Sequence, residues 1–320
     1  MNDLFALFFS ITSIFLALLM VEVMGSFQLI FWWKKSSKNV LPFVIPIWEL
    51  TGTFLAFWVV VADFAFPNVL VPAAYIYAVP LLLLLIFFIG RNAFIVFGEF
   101  VKKGLFSDRT LYTIFSAFEI LFVLVFLVFA SSLVSGAGVD ISKLQFIASK
   151  WFSVPGDWLF VISAVLVVIG LSFVFYGLEN YRLYAFIFTY LGIILTVVTV
   201  LLIHSSVPAV TFNGVLAIPL IIGVLLPILF YIDSTKKIVE TKVLFIAILA
   251  IAVFPFYSLV YPNVFGASVP VSIFITNTPM SIAFYYITLG GGIILLLMLS
   301  YMSYIANLAK KNAEKSKTNA

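Results

Sequence analysis

Apolar runs of about 20 residues recur along almost the whole chain, and each run is long enough to cross a hydrocarbon core of roughly 30 Å. Hydrophobic residues make up 64% of the 320 positions and charged residues only 9%, more apolar surface than a soluble fold can cover. The sequence therefore predicts an all-α integral membrane protein of about nine transmembrane helices. The predicted spans cover residues 4–33, 43–66, 70–97, 111–134, 158–178, 183–203, 213–232, 242–261 and 280–308.

Residues 1–308 are predicted to form a single polytopic membrane domain, and residues 309–320 a basic cytoplasmic tail. The first run is too long and too continuously apolar for a cleaved signal peptide, so it is interpreted as a retained span. We expect two groups of four helices plus one peripheral helix. No soluble domain is predicted.

The basic residues test this map, because cytoplasmic connections carry an excess of Lys and Arg. Of the 17 basic residues, only Lys143 and Lys150 follow an even-numbered span. The asymmetry predicts an odd number of spans, with the N-terminus outside and the C-terminus inside. The predicted inner residues are Lys34, Lys35, Lys38, Arg91, Lys102, Lys103, Arg109, Arg182, Lys236, Lys237, Lys242, Lys310, Lys311, Lys315 and Lys317.

Several kinds of site are excluded by composition. The chain has no cysteine, which excludes disulfides, thiolate metal sites and iron–sulfur clusters. His204 is the single histidine, so two-histidine ligation of a haem or metal ion cannot come from this chain alone. The net charge of +4 is spread over short connections and predicts no nucleic-acid surface. We predict no catalytic residue and no metal ligand in this chain.

Four carboxylates fall inside predicted spans, where an ionisable group is costly and usually serves a function. At 1.5 Å per residue, Glu49 lies about 9 Å, Glu119 about 12 Å and Glu22 about 16 Å from the inner ends of their helices. Asp63 shares a helix face with Glu49 but lies roughly 21 Å further out. We interpret the four as candidates for a proton path.

A second interpretation of these carboxylates stays open: each is protonated because it is buried, and hydrogen-bonds to a neighbouring helix. The basic residues Arg91 and Arg109 are placed at the inner interface, where Glu99 and Asp108 are potential partners. Their main expected role is to set the topology.

Several short stretches match one family in order along the chain. IWELTGTFLAF places Trp48 and Glu49 on a tryptophan–acid pair, and FAFP and FFIGR follow, ending at Pro67 and Arg91. These stretches and the C-terminal third resemble subunit II of the cytochrome bd-type quinol oxidases. The C-terminal match comprises Phe254, Pro255, Phe256, Ser272, Ile275, Asn277 and Pro279, with a short deletion between Asn277 and Pro279.

The chain also departs from the family pattern. Ile47 stands where the family has a histidine, and Glu22 alone replaces an acidic pair in the first helix. The basic segment after that helix is reduced to KKSSKN. The chain therefore resembles a divergent member, and an archaeal origin is one interpretation of the divergence.

The resemblance implies a haem-free subunit in a prokaryotic plasma membrane. Its partner would be subunit I, which carries haems b and d and the quinol site; small accessory membrane subunits, lipid and, in some members, a structural quinone also belong to such complexes. The resemblance makes Glu49 a station on a proton path from the cytoplasm. Two alternatives remain: a proton-coupled secondary transporter, and the membrane anchor of another electron-transfer complex.

Overall fold

A computed structural model describes residues 2–101, 106–208, 210, 213–232, 241–266, 268–274, 282–283, 285–294, 296–298, 300–301 and 304. Its helices are α1 (Asn2–Phe31), α2 (Trp33–Ala65), α3 (Pro67–Ile76), α4 (Ala78–Val96), α5 (Asp108–Ser135), α6 (Ala148–Phe152), α7 (Pro155–Phe175), α8 (Arg182–Ser206), α9 (Ala217–Tyr231) and α10 (Lys242–Val253). A π-helical turn, Phe97–Val101, extends α4. Two antiparallel hairpins, β1 (Val139–Asp140) with β2 (Gln145–Phe146) and β3 (Asn263–Val264) with β4 (Val269–Pro270), lie between helices.

Eight helices within the described part of the chain are long and apolar enough to cross a membrane. This confirms an all-α membrane protein. Where the ninth span is predicted, the described residues include a shorter apolar helix, Tyr285–Met298, and the rest of residues 280–308 lies outside the described residues. The odd span count and the orientation of the termini stay predictions.

Two predicted boundaries are wrong. Lys34, Lys35 and Lys38 were expected in a connection, but α2 begins at Trp33 and carries them in its first turns. Helix α1 ends only two residues earlier, so these lysines extend from a helix rather than a loop. The predicted third span is split at Tyr77 into α3 and α4.

The contacts among the eight spanning helices can be described in two sets of four. One group contains α1, α2, α4 and α5, and the other contains α7, α8, α9 and α10. Helix α1 joins them through contacts with α7 and α10, and α5 also contacts α7. Fully buried phenylalanines, including Phe15, Phe115, Phe173 and Phe245, fill the shared core.

Helices α7 and α8 approach each other at two glycines. A Cβ at Gly170 would lie 2.5 Å from the Thr189 backbone nitrogen, and one at Gly192 would lie 2.8 Å from the Val167 backbone nitrogen. Small residues allow such close approach, which is a main source of helix association in lipid. The contact leaves no room for a larger side chain on either helix.

Large apolar side chains cover the outer faces of α4 and α8. Leu82, Ile86 and Ile89 are exposed on α4, and Ile194 and Leu201 on α8. In a membrane-spanning helix, such faces contact lipid or another apolar protein surface. They differ from the exposed face of α2, which carries acidic groups.

The β1–β2 hairpin belongs to the segment between α5 and α7. The Ser142 hydroxyl and the Lys143 backbone N–H both donate to Asp140, at 2.7 and 3.1 Å, and they hold the pKa of Asp140 below its ordinary value. At the base of this segment the Ser135 hydroxyl donates to buried Asp157, at 2.9 Å. That bond links the end of α5 to the start of α7.

The β3–β4 hairpin closes the C-terminal end of α5. The Phe265 N–H donates to the Leu133 carbonyl at 2.7 Å, and the Gly266 N–H donates to the Val134 carbonyl at 3.0 Å. These bonds satisfy carbonyls that a helix end leaves without an intrahelical donor. The hairpin therefore acts as a cap supplied from far along the chain.

We expect Gly266→Ala to lower the free energy of unfolding by about 1–2 kcal/mol, the usual cost of a left-handed backbone for a residue with a Cβ. Gly266 has a φ of +63°, and its Cβ would lie 2.6 Å from the Ser135 carbonyl oxygen. The thermal midpoint of the purified protein measures the effect. Gly214→Ala is the control, because a Cβ there meets nothing within 4 Å; an equal midpoint in both variants would contradict the capping role.

Candidate functional site

Arg91 lies at the centre of a buried charge cluster between α1, α4 and α5. Its Nη1 donates to Glu22 Oε1 at 2.8 Å and to Glu119 Oε2 at 2.5 Å. The side chains of all three residues are 0% exposed. We call these three residues the Arg91 centre. It places one guanidinium and two carboxyl groups in the interior of the first helix group.

Apolar surroundings fix the position of the guanidinium. The Arg91 Cζ lies 4.9 Å from the ring centroid of Phe88 and 5.3 Å from that of Phe122. Such distances allow the aromatic faces to stabilise a cation. The guanidinium therefore contacts two aromatic rings as well as the carboxyl groups of Glu22 and Glu119.

Part of the hydrogen-bonding capacity of the Arg91 centre is unused by protein groups. Within the described part of the chain, Glu22 Oε2, Glu119 Oε1, and Arg91 Nε and Nη2 are buried and have no protein hydrogen-bond partner. Ser26, Gln28 and Ser116 also carry such buried atoms. Buried polar atoms usually bond to protein or to internal water, so this region suits internal water.

The placement predicted for Arg91 is wrong. It was expected at the inner interface, with Glu99 and Asp108 as potential partners, but it is buried against Glu22 and Glu119. The physical reason is that α4 continues for five residues beyond Arg91, and the last four of these, Ala93–Val96, are apolar, which keeps the arginine inside the bundle. Glu99 instead accepts a hydrogen bond from the Tyr112 hydroxyl at 2.9 Å.

Glu22 and Glu119 were predicted at similar depths, and in the structure both accept a hydrogen bond from Arg91 Nη1. Glu49 and Asp63 do not join them. Both are exposed on one face of α2, together with Thr53, Ala56 and Val60; we call this the α2 acidic face. The four candidate carboxylates are therefore divided between a buried centre and an outer helix surface.

The indole of Trp48 connects α2 with α4 beside the Arg91 centre. Its Nε1 donates to Asn92 Oδ1 at 2.6 Å, next to Arg91 in sequence. Asn92 was not predicted as a site residue, although a polar residue adjacent to an intramembrane arginine is a signal that could have identified it. The Trp48–Asn92 bond links α2 to α4 at the residue that follows Arg91.

A second set of polar bonds joins the two helix groups. Gln28 Nε2 on α1 donates to Ser172 Oγ on α7 at 2.7 Å. The Tyr176 hydroxyl, just beyond α7, donates to the Val21 carbonyl at 3.1 Å. The polar interior therefore extends from the Arg91 centre across the contact between the groups.

The remaining motif residues have the following positions. Pro67 begins α3, and Pro255 is buried in the 3₁₀ turn Phe254–Leu259. Asn277 and Pro279 lie outside the described residues. The ring of His204 forms a bond of 2.9 Å between its Nδ1 and the Val210 carbonyl oxygen.

The chemistry available to these groups is restricted. Among the described residues, no group of three or more His, Cys, Asp or Glu side chains could hold a metal ion. A guanidinium with two carboxyl groups inside a membrane bundle is suited to binding or passing protons, or to joining helices as an ion pair. The geometry alone is compatible with both roles.

Comparison with known proteins finds matches among solved structures. No protein-family model and no curated protein sequence matches the chain. Among solved structures, a chain of the bd oxidase from Geobacillus thermodenitrificans superposes with a TM-score of 0.76 at 18% sequence identity. The match covers 95% of this chain and 98% of that chain. The two chains share one fold over nearly their whole lengths.

Proposed function

We propose that this chain is a haem-free membrane subunit of a respiratory quinol:oxygen oxidoreductase and packs against a haem-bearing subunit. The observation that carries the proposal is the common fold with a bd oxidase chain, at a TM-score of 0.76 with 95% of this chain covered. The residue matches around Trp48, Glu49 and Arg91 support the same assignment. A single histidine and no cysteine in the sequence suit a subunit whose haems are held elsewhere.

The α2 acidic face is the surface that we assign to the haem-bearing subunit. Glu49 and Asp63 are exposed there, and carboxylates at membrane depth are costly when they face lipid. A protein partner or a water-filled path would remove that cost. The exposed faces of α4 and α8 are apolar and are suited to lipid.

Cross-linking tests this surface cleanly, because the chain has no cysteine of its own. A single Thr53→Cys variant, one turn from Glu49 on the α2 acidic face, is expected to cross-link to the haem-bearing subunit in native membranes. Leu201→Cys, on the exposed face of α8, is the matched control and is expected to remain uncross-linked. Equal cross-linking from both positions would contradict the assignment.

We further propose that Glu49 passes protons from the cytoplasmic side toward the partner. Glu49→Gln keeps the size of the side chain and removes its proton affinity, so we expect oxygen consumption by the complex to fall by about a hundredfold, the lower end of what a positioned proton-transfer group contributes. The measurement is quinol-dependent oxygen uptake together with proton uptake by vesicles.

Thr53→Val is the control for that variant, because it alters the same face without removing an ionisable group. We expect the Glu49→Gln complex to retain its partner and its haem spectrum. Unchanged oxygen and proton uptake would exclude the relay. Loss of the partner would show that Glu49 holds the subunits together.

A further inference from the structure

The charges of the Arg91 centre do not balance if every group is ionised. One guanidinium then faces two carboxylates, and all three side chains are 0% exposed. An uncompensated charge in a low-dielectric interior is strongly unfavourable. The centre is neutral when one proton is added.

The two carboxyl groups bind the same nitrogen atom of Arg91. The two hydrogens of Arg91 Nη1 are used by Glu22 and Glu119, one each, so the two acceptor oxygens are close neighbours. Two carboxyl groups that share a site do not both ionise readily, and their titrations are coupled. A further buried titratable group, Tyr176, donates its hydroxyl hydrogen to the carbonyl of Val21, which precedes Glu22 in the chain, and supplies no compensating charge.

Polar atoms at the Arg91 centre are available to a proton and its hydrogen bonds. Glu22 Oε2 and Glu119 Oε1 are buried and have no protein partner within the described residues. Each can accept a proton without breaking a bond to Arg91. The free Nε and Nη2 of Arg91 can donate to water that solvates this site.

We propose that the Arg91 centre is a proton-binding site that holds one proton on the pair Glu22 and Glu119. In this state the centre contains one guanidinium, one carboxylate and one carboxylic acid, and its net charge is zero. A proton arriving at one carboxyl group displaces the proton of the other, so the site can store a proton and release it to water. That the Arg91 centre stores a proton on a path through an oxidase rests on the proposed function. That the centre binds one proton does not rest on it.

Infrared difference spectroscopy on the purified protein, alone or with any partner that it retains, tests the proposal, because the carbonyl stretch of a protonated carboxyl group is distinct from the carboxylate bands and shifts in D₂O. Glu22→Gln and Glu119→Gln each leave Arg91 with one carboxylate. We expect the difference between wild type and either variant to show loss of one protonated-carboxyl band. Glu179→Gln is the control: Glu179 is 54% exposed and lies 3.5 Å from Arg182, so only a carboxylate band should be lost.

Loss of a carboxylate band in both single variants would mean that both groups are ionised, and would overturn the proposal. Thermal midpoints give an independent test. A neutral centre stays neutral in either single variant, so we expect midpoints close to wild type, whereas relief of a net negative charge would raise both. If the protonated band is lost as expected but oxygen uptake is unchanged, the proton site stands and its role in the relay fails.

Discussion

Arg91→Leu is expected to destabilise the folded chain by about 3–5 kcal/mol, the usual result of removing one partner from a buried ion pair. Glu22 and Glu119 both accept hydrogen bonds from this guanidinium and are 0% exposed. Without Arg91, both must be protonated or remain buried without compensation. We expect a large loss of monodisperse protein in size-exclusion chromatography and a much lower thermal midpoint.

The matched variant replaces the whole centre: Arg91→Met, Glu22→Met and Glu119→Met together. Well-packed apolar side chains often replace buried ion groups at no cost to stability, so the triple variant should recover most of the folding lost in Arg91→Leu. It also removes the proposed proton site. A folded triple variant with full oxygen uptake would exclude a role of the Arg91 centre in the relay. An Arg91→Leu protein as stable as wild type would contradict the claim that Arg91 compensates the buried charge of Glu22 and Glu119.

Gly170→Val is expected to reduce stability by about 3 kcal/mol, the upper part of the range for overpacking a core. A Cβ at Gly170 would lie 2.2 Å from Thr189 Oγ1 and 2.5 Å from the Thr189 backbone nitrogen. The side chain can rotate, but the backbone contact can be relieved only if α7 and α8 move apart. The fraction of folded protein after a temperature series measures the loss.

Gly290→Val is the control for that variant. Gly290 is exposed and helical, and a Cβ there meets nothing within 4 Å. The substitution therefore measures the effect of placing a valine in a helix where no neighbouring backbone is close. We expect a change of less than about 1 kcal/mol. If both valine variants lower the midpoint equally, the α7–α8 crossing is not the reason for the glycine.

The fold class and most helices could be predicted from the sequence, because an apolar run of membrane length leaves few other structures for the backbone. The α1–α2 junction could not. KKSSKN resembles a connection in composition, yet the chain is interrupted only at Trp32 and α2 continues through Pro42 and Pro46. The helix tolerates these prolines because a proline affects one hydrogen bond and the turn before it.

The candidate site was only partly predictable. The depth of a residue in the membrane follows from its position along the helix, so Glu22 and Glu119 could be predicted at similar depths. The side of the helix that faces the bundle depends on how neighbouring helices pack, so it could not be predicted. Glu49 therefore looked equivalent to Glu22, although the side chain of Glu49 is exposed and that of Glu22 is buried. Arg91 carried a usable signal, since the apolar stretch continues to Phe97, which places the arginine about 9 Å from the end of that stretch.

The most direct test of the central claim is purification of this chain, affinity-tagged, from its native membrane in mild detergent, followed by mass spectrometry and an optical spectrum of the intact complex. The proposed function predicts a second polytopic membrane chain in equal amount and the absorption of b- and d-type haems. After the complex is dissociated, this chain should no longer carry that absorption. Recovery of the chain alone, without haem absorption and with proton-coupled substrate uptake in liposomes, would contradict the oxidase assignment and favour a transporter.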